Sequence, residues 1–584
     1  MEKSIVSLLF FLGCNLLYPN TACCQKFDNV WVFGYNWDSD LESETYRLVF
    51  DTFPPRLVEY PGEVSIDLAY ASICDSAGAL DLYTNNCFIA DGNGDIIEEG
   101  DTLTDGFDLG WCQTYRWFPF SMSNLFIPSP ENSNHIYSFS KSTYYVTDPS
   151  LIVFQDKVKY TVVDLSKNNG LGKVVEKGQT ILTNRFGYGQ LTAVKHGNGR
   201  DWWLPLPVEL GNEIIFALFD ADTVAVHHAQ KMGPVWGDAA SFQAIFSLDG
   251  SMYARYNRFY GLYLYDFDRC DGLLSNLRYF PFIDTTNSGL FGSVAFSPDN
   301  HYLYFPINYD SLCQMDLKAP DLAASVKVVA TWDGSTEGGV LGTKFGNMVN
   351  GPDGRLYIIP PAYSTSMNVI NRPNVGGLSC DVQQHIFNFP NYYGNPPNFP
   401  NYRLGSLDGS PCDTLGIDNL PLAGFRPDPA DTNGLSMQFW DVSAYAPATW
   451  HWDFGDGATS QDTSPAHTYA APGFYTVCQT VSNAYGSDSH CKIVHIQTVG
   501  TSDAGPDEVL EIYPNPTTGL VYLPWRDAPA GRVRVHDLTG RLVQDMEVQG
   551  PEINLGALPD GLYVLTVQER ETGRRWVGKV LVLK

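Results

Sequence analysis

The chain has 584 residues, of which 14% are aromatic and 17% charged, and its formal net charge is −29. This length allows three or four domains with buried cores. The acidic charge repels phosphate backbones and argues against nucleic acid as a partner. Frequent Tyr, Gly and Pro, together with period-two runs such as "KVKYTVVDL", predict an all-β protein.

The first 25 residues have the pattern of a secretory signal peptide. Lys3 precedes an apolar run from Ile5 to Leu17, and small residues follow near Ala22. The run is too short to cross a bilayer as a mature helix, and no later segment is a candidate transmembrane anchor. We therefore expect residues 1–25 to be removed on export.

Nine cysteines lie beyond this segment, and none of them forms a CxxC pair. An exported protein with this spacing is expected to form disulfides rather than a zinc site. An odd number leaves at least one cysteine without an intramolecular partner. The nine are Cys74, Cys87, Cys112, Cys270, Cys313, Cys380, Cys412, Cys478 and Cys491.

One signature recurs in the large N-terminal region: "FSLDGSMYARYN", "FSPDNHYLYFPIN" and "NGPDGRLYIIPPA". Asp249, Asp299 and Asp353 each precede a Gly or Asn and then an aromatic-rich strand, which predicts a hairpin at each position. Repeats of about 40–50 residues with several short strands are typical of propeller blades. Residues 26–405 are therefore predicted to form a six- or seven-bladed β-propeller, with seven fitting the length better than six.

The run "ASICDSAGALDLYTNN" within this region is similar to "ASISDSNGNLLFYT", common in WD40-like propellers of large exported proteins from Gram-negative bacteria. This resemblance implies an architecture but gives no information about activity. A β-solenoid is the rival interpretation, but the repeats are long and irregular.

Motifs of known enzyme classes are missing from the propeller region. It has no G-x-S-x-G elbow and no H-E-x-x-H helix, and its "SLDGS" and "SPDNH" runs lack the tryptophan of sialidase boxes. His227 and His228 occupy adjacent strand positions, so they are expected to point to opposite faces and to make a poor metal pair.

A calcium loop is the one metal-site candidate. Asp91, Asn93 and Asp95 have its one-three-five spacing. However, Ile96 replaces the required glycine and Thr102 replaces the bidentate glutamate, which favours a solvated hairpin tip. Calcium is thus a possible cofactor, and no cofactor is certain.

Turn-forming residues 406–423 predict a linker, and a small β-sandwich follows it. Alternating Trp450, Trp452 and Phe454 predict one buried strand face. Cys478 and Cys491 are equidistant from the centre of a predicted hairpin, so we expect a disulfide between them.

Residues 424–498, with "TWHWDFGDG" and "HTYAAPGFYTV", resemble a polycystic kidney disease (PKD) repeat. The resemblance implies an immunoglobulin-like fold without catalytic residues, used as a spacer or contact module. Trp440 is predicted to point outward, where it could stack on a sugar or a protein surface.

A second linker, 499–509, precedes a C-terminal β-sandwich at 510–584. Its blocks "YPNPTTG", "VHDLTGRLV" and "LPDGLYVLTV" and its basic end closely resemble the sorting domain of type IX secretion substrates. The resemblance implies passage through the type IX machinery to the medium or the outer-membrane surface of a Gram-negative bacterium, after a periplasmic step. The motif residues are Pro514, Asn515, Pro516, Gly519, Asp537, Gly540, Gly561, Tyr563 and Lys584.

These features favour a secreted or surface binding protein, with extracellular polysaccharide or a surface protein as ligand. A polysaccharide- or protein-degrading hydrolase, with acids at the propeller mouth, is the first alternative. A structural component of a surface layer or filament is the second.

Overall fold

The computed structural model describes residues 26–34, 44–52, 54–64, 66, 69–116, 118, 122–146, 152–235, 243–257, 259–283, 292–337, 341–360, 364–393, 395–430, 434–496, 508–510, 512, 517–523, 531–537, 541–548, 550, 552–559, 561–569 and 575–582. The predicted signal peptide lies outside them. The chain forms two compact units, Met1–Ile496 and Gln497–Lys584.

Seven antiparallel sheets of three or four strands follow one another through the described part of residues 26–405. We number these sheets as blades 1 to 7. Blades 1 to 3 contain β1 (Val30–Phe33), β2 (Glu44–Val49), β3 (Arg56–Pro61); β4 (Ala71–Cys74), β5 (Leu80–Thr84), β6 (Ile89–Asp91); and β7 (Asn124–Pro128), β8 (His135–Val146), β9 (Ile152–Asp164), β10 (Lys173–Phe186).

The other four blades have four strands each. A two-stranded ribbon, β23 and β24, lies in the chain before blade 7. The strands are β11 (Val194–Lys195), β12 (Trp202–Pro207), β13 (Glu213–Phe219), β14 (Val224–Lys231); β15 (Gln243–Phe246), β16 (Met252–Asn257), β17 (Gly261–Asp268), β18 (Leu273–Phe280); β19 (Ala295–Phe296), β20 (Tyr302–Ile307), β21 (Ser311–Asp316), β22 (Lys327–Thr331); β23 (Thr336–Glu337), β24 (Leu341–Gly342); and β25 (Met348–Asn350), β26 (Leu356–Ile358), β27 (Ser364–Ile370), β28 (Val382–Tyr393).

The seven blades close into a ring. Apolar clusters lie between consecutive blades, and one of them joins blade 7 to blade 1. Trp31 of blade 1 packs 5.2 Å from Tyr357 of blade 7, and Phe33 packs 5.0 Å from Phe389. The predicted propeller architecture is confirmed, with seven blades.

The segment that follows blade 7 returns to blade 1. Its Phe399 lies 6.2 Å from Trp31, and Arg403 pairs with Asp28 at the start of the first blade. Asn398 donates to the carbonyls of Asn124 in blade 3 and Leu191 before blade 4. These contacts place residues 395–405 at the inner edge of the blades, where they hold the two ends of the ring together.

The predicted linker at 406–423 contains no strand, yet it is fixed to the ring. Cys412 forms a disulfide with Cys270, in the turn between β17 and β18. Leu407 donates its backbone N–H to the carbonyl of Gly197. One described α-helix, α1 (Gly106–Tyr115), is similarly tied to blade 2 by the Cys87–Cys112 disulfide. Two 3-10 turns occupy Asn168–Gly170 and Gly377–Cys380.

The following domain is a two-sheet sandwich. Trp452 and Phe454 are buried between the sheets as predicted, and His467 stacks on Phe454. One sheet has the order β29-β30-β33 and the other β32-β31-β34-β35. The strands are β29 (Phe425–Pro429), β30 (Ser436–Asp441), β31 (Thr449–Asp453), β32 (Thr459–Ser460), β33 (Ala466–Thr468), β34 (Gly473–Ser482) and β35 (Ser487–Ile496).

The second compact unit is a small sandwich with its own apolar core. Its sheets have the orders β36-β42-β41-β38-β39 and β37-β40, and β36 runs parallel to β42. The strands are β36 (Glu508–Val509), β37 (Leu520–Tyr522), β38 (Gly531–Asp537), β39 (Leu542–Val548), β40 (Glu552–Asn554), β41 (Gly561–Glu569) and β42 (Arg575–Val582).

Candidate functional site

An open cleft of about 480 Å³ lies between blades 3 and 4. One wall is the tip of the β7–β8 hairpin and the other is the tip of the β13–β14 hairpin. We name it the blade 3/4 cleft. It is lined by Ser129, Glu131, Asn132, Ser133, His135, Tyr137, Phe219, Asp220, Ala221, Asp222 and Thr223.

Both hairpin tips are held in shape by their own side chains. The Asp220 carboxylate accepts the backbone N–H groups of Asp222 and Thr223, at 2.9 and 2.8 Å. On the opposite wall the Ser129 hydroxyl accepts the backbone N–H groups of Glu131 and Asn132. Such side-chain-to-backbone bonds make turn loops stiff. The cleft is therefore largely formed before any ligand arrives.

An aromatic wall lines one side of the cleft. The Tyr137 ring is half-buried and packs 4.5 Å from the buried Phe219 ring and 5.3 Å from Tyr160. Burial, with the neighbouring Tyr160, Glu176 and Glu131, raises the pKa of Tyr137. The phenol therefore stays neutral and can donate its proton to an acceptor.

The charge of the cleft is negative. Glu131, Asp220 and Asp222 line it, and none of its lining residues is a Lys or an Arg. His135, which also lines the cleft, lies 3.6 Å from the carboxylate of Asp164, a residue outside the lining. Carboxylate, amide and hydroxyl groups beside an aromatic ring can bind hydroxyl-rich or cationic molecules, whereas they repel anions.

Two buried cations, Lys141 of blade 3 and Arg255 of blade 5, contact the segment that leads into blade 4. Lys141 is 1% exposed and donates to the carbonyls of Gly187 and Gly189, and Arg255, 4% exposed, donates to the Gln190 side chain. No carboxylate of the described residues lies within ion-pair distance of Lys141. Burial, reinforced by Arg255, lowers the pKa of Lys141 to about 7. These cations fix the segment that leads into blade 4.

Asp108 of α1 is a buried acid, 1% exposed. One carboxylate oxygen accepts the backbone N–H of Thr143 at 2.7 Å, and the other has no hydrogen-bond partner among the described residues. Burial raises the pKa of Asp108 to about 7, against the lowering effects of Thr143 and Lys159, while Asp156 raises it. The folded protein thus favours the protonated form.

We expect the substitution Asp108→Asn to change the pH dependence of stability. Between about pH 4 and pH 7 the folded wild type binds a proton that the unfolded chain has lost, so its stability falls as pH rises. The asparagine keeps the acceptor for Thr143 without the charge. The free energy of unfolding of the variant, relative to that of the wild type, should therefore rise by up to about 4 kcal/mol as the pH increases from 4 to 8. Chemical denaturation at both pH values measures this, and an equal difference at the two pH values would contradict it.

The predicted calcium loop is a hairpin turn built around Asp91. Its carboxylate accepts the backbone N–H groups of Asn93, Gly94 and Asp95, at 2.7, 3.1 and 3.2 Å. The Asp91 oxygens are thus used within the turn, while Asn93 and Asp95 are exposed. In the described part of the chain, no group of three or more His, Cys, Asp or Glu is arranged to hold a metal.

Trp440 lies on β30, directly opposite Arg426 of β29. Its ring is half-buried, and the Arg426 guanidinium lies 5.9 Å from the ring centre. Met437 and Phe439 of the same strand are buried. One face of the tryptophan is therefore covered from within the chain, which reduces the surface it could offer to a ligand.

Cys478 and Cys491 are direct cross-strand neighbours and form a disulfide with a Cα separation of 4.1 Å. Three described cysteines, Cys74, Cys313 and Cys380, are free and buried.

The described sorting-motif residues have structural roles. Gly519 has φ +136°, and a Cβ there would lie 2.6 Å from Gly556. Asp537 accepts the backbone N–H and pairs with the guanidinium of Arg541. Gly561 begins β41, and Tyr563 donates to the carbonyl of Pro559. Pro514, Asn515, Pro516, Gly540 and Lys584 lie outside the described residues.

The prediction that His227 and His228 point to opposite faces is wrong. Phe216 pairs with His228, and its neighbour Ala217 pairs with Val226, so His227 is the extra residue of a β-bulge. A bulge breaks the alternation of side chains along a strand. The two imidazole rings therefore lie together, with their centres 5.2 Å apart.

Family models match the two C-terminal parts of the chain. The model of the PKD domain matches residues 420–498, and that of the secretion system C-terminal sorting domain matches residues 511–582. The protein carries a PKD domain and a type IX sorting domain. The sorting domain implies handling by the type IX machinery and a secreted or cell-surface location. No helix in the described ranges has the length and apolar character needed to cross a membrane.

Several solved structures are similar to parts of this chain. The PKD1 domain of the Vibrio cholerae metalloprotease PrtV is 32% identical, with 13% of this chain and 98% of that chain covered and a TM-score of 0.13. PorZ, a surface component of the Porphyromonas gingivalis type IX secretion system, is 10% identical over 94% of this chain and 86% of its own, with a TM-score of 0.23.

The Myceliophteria thermophila Cps50 (Swd1) β-propeller domain is 11% identical over 59% of this chain and 94% of its own, with a TM-score of 0.33. No curated protein matches the chain significantly.

Proposed function

We propose that this protein, exported by the type IX system, is a binding protein of the cell surface or medium. In this proposal the propeller carries the ligand site, and the PKD domain acts as a spacer and second contact. The blade 3/4 cleft is the single observation that supports it best. A preformed groove on a rigid ring, lined by loop side chains, is a common form of recognition site.

The cleft favours a neutral, hydroxyl-rich ligand, and extracellular polysaccharide is the class that fits. Glu131, Asp222 and Asn132 offer acceptors and donors for sugar hydroxyls, and the Tyr137 ring offers an apolar face on which a sugar ring can stack. The three lining carboxylates disfavour uronic acids and sulfated or phosphorylated glycans. The net charge of −29 acts in the same direction.

A glycan array with the purified protein, followed by calorimetry on the glycans it selects, tests this proposal. Tyr137→Ala and Asp222→Asn should each weaken binding about tenfold or more, because they remove the stacking face and a hydroxyl acceptor. Asp222 is exposed at a turn, so its substitution should leave the fold intact.

Tyr279→Ala is the matched control for Tyr137→Ala, because Tyr279 is a partly exposed strand tyrosine in blade 5, outside the cleft lining. It should leave the affinity unchanged. Binding that is equally weakened by Tyr279→Ala, or that is confined to acidic glycans, would contradict the proposal. If the protein binds surface proteins and both cleft variants still bind them, the binding site lies elsewhere on the ring.

The PKD domain is suited to its proposed role because it is fixed to blade 7. Arg426, at the start of the domain, donates to the backbone carbonyls of Asp353 and Asn371 in blade 7, at 2.9 and 3.0 Å. Asp428 pairs with Arg355 of the same blade at 3.1 Å. A spacer anchored in this way transmits the orientation of its far end to the ring.

A further inference from the structure

The two histidines of β14 lie on the outermost strand of blade 4, away from the cleft lining. The Nδ1 atoms of His227 and His228 are 3.0 Å apart. His227 is exposed and His228 is half-buried. We propose that His227 and His228 together bind a divalent transition-metal ion of the Cu²⁺ or Ni²⁺ class through their Nδ1 atoms.

The nitrogen separation matches the geometry of such an ion. Two nitrogens 3.0 Å apart, each about 2.0 Å from one ion, subtend an angle of about 95° at that ion. This is close to the angle of about 90° between neighbouring ligands in a tetragonal site, the arrangement that Cu²⁺ and Ni²⁺ prefer. A tetrahedral Zn²⁺ site would place the two nitrogens farther apart.

The surrounding rings hold the pair in position. Phe216 stacks on His228 with a centroid distance of 4.9 Å and an interplanar angle of 9°. The buried Trp203 ring meets His227 at 5.1 Å and His228 at 5.9 Å, edge to face. Stacking on Phe216 and the contact with Trp203 restrict the rotation of His228, so this ligand is held in place before an ion arrives. Preorganisation of this kind reduces the entropy lost on binding.

A nearby third histidine is already engaged. His196 contacts the Cys270 carbonyl through Nε2, at 2.9 Å, and accepts the Asn198 backbone N–H at Nδ1. The protein thus supplies two ligands, and water completes the coordination. The other interpretation of the pair is a simple hydrogen bond between two rings that covers Trp203.

Copper titration of the full chain, purified without a polyhistidine tag, separates these interpretations. Cu²⁺ is added with glycine as a competing ligand, and binding is followed by visible absorption and by electron paramagnetic resonance. We expect one equivalent bound with two imidazole nitrogens. His227→Ala and His228→Ala should each weaken binding roughly tenfold or more, because each destroys the chelate.

The matched control is His451→Ala, since His451 is an exposed strand histidine of the PKD domain. It should leave the copper affinity unchanged, and the metal-free unfolding temperature of His227→Ala should equal that of the wild type. Copper binding that is the same in the wild type and His227→Ala, or that His451→Ala weakens equally, would overturn the proposal.

Discussion

Deletion of residues 510–584 is expected to leave the first compact unit folded and to stop the protein from reaching the cell exterior. The sorting domain builds its core from its own side chains, among them Val533, Leu565 and Trp576. The propeller and PKD cores use residues before 497. Cell fractionation and protease accessibility on intact cells measure the location, and circular dichroism of the retained protein measures the fold.

A point substitution sharpens this experiment. Gly519→Val places a branched side chain at φ +136°, where an added Cβ would lie 2.6 Å from the backbone of Gly556. It should block export as the deletion does. Gly550→Ala is the matched control, because a Cβ at Gly550 meets nothing within 4 Å. If the protein that lacks residues 510–584 still reaches the cell surface, this domain is not what directs export.

The sequence predicts the blades because each hairpin carries its own local signal. Ser247 donates to Asp249, and Ser297 donates to Asp299, both at 2.6 Å. The same "SLDGS" run recurs at 406–410, where Ser406 donates to Asp408 at 2.6 Å. The sequence predicts a linker there, because strand periodicity is lost after the run and turn-forming residues follow it.

The blade 3/4 cleft could not be predicted in this way. Its walls come from residues 129–137 and 219–223, about 90 positions apart, and nothing local in either segment indicates that they face each other. The pairing of His227 with His228 depends on one extra residue in β14, and period-two reasoning assumes that no such residue is present. Local patterns thus predicted the elements, while the sites depend on long-range packing and on one local irregularity.

The substitution Arg426→Met is expected to weaken the attachment of the PKD domain to the ring. Arg426 is 3% exposed, and its guanidinium binds Asp428 at 3.0 Å and the carbonyls of Asp353 and Asn371. Methionine keeps much of the volume and removes every donor. The two carbonyls and part of the Asp428 carboxylate then lose their partner inside a buried interface. We expect a loss of about 3 kcal/mol or more in the free energy of unfolding of the PKD domain.

Calorimetry of the first compact unit measures this loss, and hydrogen exchange in β29 shows where it occurs. The PKD transition should move to lower temperature and separate from that of the propeller. Arg56→Met, which breaks the exposed Arg56–Asp51 pair in blade 1, is the control and should cost less than about 1 kcal/mol. The double variant Arg426→Met/Asp428→Leu should lose more, because it also removes the carboxylate that pairs with the buried Arg355 at 3.1 Å. Equal losses from Arg426→Met and Arg56→Met would show that the domain is held by other contacts.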